Sequence, residues 1–75
     1  MTTQERIRQI AETRLDEVGL FKLSVEALED ESLSERENWF FTEIKDTTRF
    51  AAILGQSVGM NYELLQQDAR ALLKS

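Results

Sequence analysis

Proline occurs nowhere in the 75 residues, and apolar side chains recur at three- and four-residue spacing along most of the chain. That spacing places side chains on one face of a helix, and nothing interrupts it except three glycines. No stretch keeps the period-two alternation of a half-buried strand, so the chain is expected to be all-α. The expected architecture is a small bundle of four helices, give or take one, with short connections.

The helix limits are read from caps and stripes. Thr2-Thr3-Gln4-Glu5 is a capping-box pattern, and Ile7, Ile10, Ala11, Leu15 and Val18 then share a face. This predicts a first helix to about residue 18, ended by Gly19. Leu20 to Glu31 reads as a connection that offers Leu20, Phe21, Leu23, Val25 and Leu28 to the core, with one short helical turn after Ser24. Ser32-Leu33-Ser34-Glu35 is again of the Ser-x-x-Glu type and opens a stripe of Leu33, Phe40, Phe41 and Ile44, with Trp39 beside it. Asp46 is the expected cap of a further helix bearing Phe50, Ile53, Leu54 and Val58, which Gly59 stops. Asn61 starts the last helix, on which Leu65, Ala69, Leu72 and Leu73 share a face.

At this length the chain is a single domain, 1–75, near the lower limit for a core without staples. Cysteine and histidine are both absent, which removes disulfides, thiolate and imidazole metal sites and the usual general base. No catalytic residue and no metal ligand is assigned, and the chain is not expected to be an enzyme. An enzyme would have to work with carboxylates, Tyr62, lysines and hydroxyls, and one using Glu and Asp as acid and base would need two carboxylates with strongly displaced pKa values in a cleft. The N-terminus has no apolar run of signal-peptide or membrane-span length, so a soluble, cytoplasmic protein is expected.

Charge is unevenly spread. Residues 16–46 carry ten acids against Lys22, Arg36 and Lys45, a local net of −7, while the whole chain carries −5. Such a surface repels phosphate backbones and anionic lipid and draws a basic protein surface toward it. Protein partners are therefore expected, and nucleic acid and membrane are not. Trp39, Phe40 and Phe41 are consecutive, and three neighbours on a helix span more than half its circumference, so at least one is expected to face outward. The expected partner-binding residues are Glu31, Glu35, Trp39, Glu43 and Asp46. A marginal core and the aromatic cluster leave self-association open.

Glu5-Arg6-Ile7-Arg8-Gln9-Ile10-Ala11 with Leu15 is similar to the first helix of acyl carrier proteins, and Val25 to Leu33 looks like the acidic loop that follows it. The segment Glu37-Asn38-Trp39-Phe40-Phe41 leading to Asp46-Thr47-Thr48 resembles the carriers' attachment segment, with Thr47-Thr48 where they have Ser-Leu. Val58-Gly59-Met60-Asn61-Tyr62 resembles the close of their second helix. In order, these cover most of the chain. The resemblance implies an acyl-carrier-protein-like bundle that docks onto enzymes of acyl, polyketide or nonribosomal peptide biosynthesis and presents an acidic helix to them. It also implies a 4′-phosphopantetheine arm on a hydroxyl exposed at a helix start.

Two registers compete for that hydroxyl. One gives Thr47, whose β-methyl crowds the oxygen, and the other gives Ser32, in Glu31-Ser32-Leu33. A third, anchored on Val58-Gly59, would put Ile44 there, which has no nucleophile. The alternative of a different class is a small acidic regulator or inhibitor that binds a basic surface of one target protein.

Overall fold

The computed structural model describes residues 1–74. It contains four helices in chain order, α1 Thr3–Glu12, α2 Glu17–Ala27, α3 Glu35–Leu54 and α4 Tyr62–Lys74, and no strand among the described residues. The all-α class and the small four-helix bundle are as expected, but several boundaries are not.

The capping box at the start of α1 forms as read, Thr2 accepting from the Glu5 amide while the Glu5 carboxylate accepts from the Thr2 amide. The helix then ends at Glu12 rather than near residue 18, with Thr13 in extended conformation. Gly19 ends nothing, because it lies in the first turn of α2, where its amide donates to the side chain of the N-cap Asp16 at 2.7 Å. A Cβ on residue 19 would stand 3.0 Å from that same oxygen, so the glycine allows the cap to close.

The segment read as a connection is the helix α2. Leu20, Leu23, Ser24 and Ala27 are its buried residues, at the i, i+3, i+4, i+7 spacing of a core-facing stripe. Two of those four positions are a serine and an alanine, and Val18, Phe21, Val25 and Leu28 lie outside the stripe, so the apolar residues do not mark one face.

The longest helix, α3, runs unbroken through the Asp46-Thr47-Thr48 segment where a boundary was expected. Thr48 is fully buried, and its hydroxyl donates to the Ile44 carbonyl at 2.7 Å, so its polar atom is satisfied inside the helix. Asp46 is accordingly a mid-helix residue and not a cap. The stop is Gly55, at φ +68°, with its amide bonded to the Ala51 carbonyl. Val58 and Gly59 lie in the connection that follows. Asn61 caps α4 as read, its side chain accepting from the Leu64 amide.

The bundle is built as two helix pairs. α2 packs along α3, α1 packs along α4, and the remaining helix contacts are slight. Glu17, at the start of α2, bonds Ser57 and Val58 just beyond the end of α3, so those two helices run in opposite directions. Ile7, Ile10 and Ala11 of α1 meet Leu20, Leu23 and Ala27 of α2, Phe40, Phe41 and Ile44 of α3, and Leu65 and Ala69 of α4 in one core. At the far end of α1, Gln66 and Arg70 of α4 reach toward the last carbonyls of the helix, at Ile10 and Ala11. Arg14 lies over the ring of Tyr62, 4.4 Å from its centre.

Candidate functional site

The surface of α3 is the part of the molecule that its own packing explains least. Its inner face, Phe41, Ile44, Thr48 and Ala51, is buried. Its outer face carries Trp39, Glu43, Asp46, Phe50 and Ile53, spaced four, three, four and three residues apart. That repeat keeps them in one row along the helix axis, and with Leu54 it extends over roughly 22 Å at 1.5 Å per residue. Trp39 is 63% exposed, Phe50 60%, Ile53 63% and Leu54 58%. Aromatic and aliphatic groups thus stand in water at both ends of the row, and two carboxylates occupy its middle. Scattered exposed apolar residues are ordinary on a small protein, whereas Phe50, Ile53 and Leu54 adjoin one another at one end of this face, with a tryptophan at the other, a surface of the kind that partners cover.

The aromatic triplet divides as its geometry requires. Phe40 and Phe41 turn inward and meet edge to face at 5.2 Å between ring centres, while Trp39 turns out. Beside Trp39, α3 and α4 leave hollows between them. One hollow of ≈ 340 Å³ lies between the start of α3 and the end of α4, and a second of ≈ 250 Å³ lies between the middle of α3 and the start of α4. Asp68 lines both.

Of the residues singled out in the sequence, Glu35, Trp39, Glu43 and Asp46 come together on α3, all exposed. Glu31 is exposed in the loop between α2 and α3. The two attachment candidates stand apart from the position that the resemblance requires. Thr47 is exposed but lies in the interior of α3, so no free amides of a helix start surround it. Ser32 lies in the loop, where its amide and its hydroxyl both donate to Asp30, the hydroxyl at 2.7 Å. The serine at the helix start is Ser34, which accepts from the Glu37 amide while Glu37 bonds back to the Ser34 amide. Two Ser-x-x-Glu frames overlap here, Ser32 with Glu35 and Ser34 with Glu37, and the second is the one that forms. Asp68, Leu64 and Leu72 of α4 also border the site. They were missed because Leu72 reads as core and the other two as ordinary positions of an amphipathic helix.

Three carboxyls are held below their ordinary values. Glu17 accepts from the Val58 amide and the Ser57 hydroxyl, Asp30 from the hydroxyl and amide of Ser32 and from Thr3, and Glu5 from the amide and hydroxyl of Thr2. All three tie loops and helix ends together, and none lies on the outer face of α3. Among the described residues, no group of three acids is placed to hold a metal ion, and no helix is long and apolar enough to cross a membrane. Comparison with family models, curated proteins and solved structures finds no match for this chain.

Proposed function

We propose that this protein is a non-catalytic docking domain, which presents the outer face of α3 to a basic surface on a partner protein. The reading is carried by one observation, the exposed row Trp39, Phe50, Ile53 and Leu54 with Glu43 and Asp46 set into it. Large side chains such as tryptophan anchor interfaces by filling pockets on the partner, and neighbouring carboxylates steer the approach and select a positive rim. The local net of −7 over residues 16–46 acts in the same direction at longer range. Acyl carrier domains use an acidic helix in this way on their biosynthetic enzymes, and the resemblance in α1 and in Glu37 to Phe41 supports a carrier-like docking domain without its phosphopantetheine arm.

The placement of the hydroxyls favours the related reading of a small acidic regulator that covers a basic site on one target. Ser32 is engaged by Asp30 and Thr47 lies mid-helix, and Ser34, the exposed serine at a helix start, serves as the N-cap of α3, its oxygen accepting from the Glu37 amide. Both readings assign the same face. A chain without cysteine suits a reducing compartment, and we place the protein in the cytoplasm.

Two measurements test the proposal. Intact mass after co-expression with a broad-specificity phosphopantetheinyl transferase is expected to be unchanged, and a gain of one phosphopantetheine group would overturn the armless reading. Affinity capture from cells that make the protein is expected to retain a partner with a basic surface in low salt. That partner should be lost with Trp39→Ala and weakened at high ionic strength. Capture that ignores both changes would place the binding surface elsewhere.

A further inference from the structure

The cleft between α3 and α4 defines the shape of the partner more narrowly, on the premise that the docking proposal above is right. α3 packs on α2 and α4 on α1, while α1 and α2 touch only slightly, as do α3 and α4. What separates them is a trough. Phe40, Ile44 and Leu65 are buried beneath it, and Trp39 and Leu64 stand exposed along it. Carboxylates mark its rim, Glu35 and Glu43 on α3 and Asp68 on α4, with Arg36 the one base among the residues of its two hollows.

The geometry points to a single amphipathic helix as the occupant, with apolar residues at i, i+3 or i+4, and i+7 and with lysine or arginine along both flanks. From Glu35 to Thr47 the two hollows follow α3 for about 18 Å, or roughly three turns, which accommodates the roughly 10 Å that three such anchors span. Charge selects among occupants. A second copy of this chain, at −5, is repelled overall by the acidic rim, and anionic lipid or nucleic acid is repelled in the same way. A basic helix satisfies the floor and the rim together.

The test uses two amidated 18-residue peptides with leucines at the stated spacing, one with lysine at every other position and one with glutamate. They are titrated into the ¹⁵N-labelled full chain. The lysine peptide is expected to bind and to shift the amides of Trp39, Glu43 and Thr47 together with those of Leu64 and Asp68. Asp68→Lys, on α4 and outside the exposed row of α3, is expected to weaken it about tenfold, since a rim charge is reversed and not merely removed. Glu26→Lys on exposed α2 makes the same change of net charge and should alter binding less than about twofold. Circular dichroism verifies that each variant is folded. Equal binding of the glutamate peptide, equal loss from both reversals, or no binding of the lysine peptide would overturn the proposal. Shifts confined to Asp46, Phe50 and Ile53 would overturn the cleft but leave the α3 face standing. Dimerisation of the chain through the cleft, seen by sedimentation, would replace the helix by a second copy and so overturn it too.

Discussion

Trp39 and Phe41 are two residues apart on one helix, and truncating each to alanine is expected to have opposite consequences. Phe41 is fully buried and packs edge to face on Phe40. An aromatic side chain that buries 150–250 Å² at roughly 25 cal/mol per Å² corresponds to about 4–6 kcal/mol, an upper bound. Measured truncations of buried phenylalanine cost about 3–5 kcal/mol. A domain of this length has a total stability of about 4–11 kcal/mol, so Phe41→Ala should remove much or all of it. Trp39 is 63% exposed and forms one wall of the hollow between the start of α3 and the end of α4. Its truncation should cost about 1 kcal/mol or less, since little packing is lost and alanine is the better helix former. Urea unfolding followed by circular dichroism at 222 nm measures both. A Trp39→Ala loss approaching that of Phe41→Ala would refute the division of the aromatic triplet, and with it the assignment of Trp39 to binding.

Three further expectations concern the framework. The folded pKa values of Glu17, Asp30 and Glu5 are depressed by hydrogen bonds, so their contribution to stability is present above the ordinary values of 4.5 for the glutamates and 3.8 for Asp30. It is lost as pH falls below those values through the lower folded ones. Glu17→Gln should make the acid limb of a stability profile shallower and speed amide exchange at Val58; an unchanged limb would contradict the role of the Glu17 carboxylate. Gly55→Ala should cost about 1 kcal/mol, because residue 55 sits at φ +68° with open space where the Cβ would be, leaving only backbone strain; a neutral substitution would argue against the left-handed cap. Ser34→Ala should cost about 1 kcal/mol by removing an N-cap, and Ser32→Ala less; the reverse order would put the start of α3 at the earlier serine.

How much of this was legible in the residues depended on whether polarity and burial agreed. Helix α1 begins as read, because both halves of its capping box are written in Thr2 and Glu5 and its stripe of Ile7, Ile10 and Ala11 is apolar. In α2 the buried stripe includes Ser24 and Ala27 while Phe21, Val25 and Leu28 fall outside it, so no single face stood out. Thr48 misled in the same way, as a buried residue whose hydroxyl bonds back within its own helix. The glycines separated by role, not by identity. Gly55 and Gly59 both adopt positive φ, but only Gly55 follows a helix, and Gly19 serves a cap at its beginning. Of the site, the acids and Trp39 could be found from local charge and from the crowding of three aromatics. The cleft could not, since it depends on which helices pair, and neither α3 nor α4 carries a local sign of how closely it will pack on the other.

The central claim is that the outer face of α3 meets a partner protein, and photo-crosslinking in cells addresses it most directly. A benzophenone amino acid is placed at Trp39, at Phe50 or, as a control, at Lys22 on exposed α2, and covalent products are identified by mass spectrometry. The expected result is one shared partner protein from Trp39 and Phe50 and none from Lys22. Products from Lys22 alone, or the same products from all three positions, would contradict it.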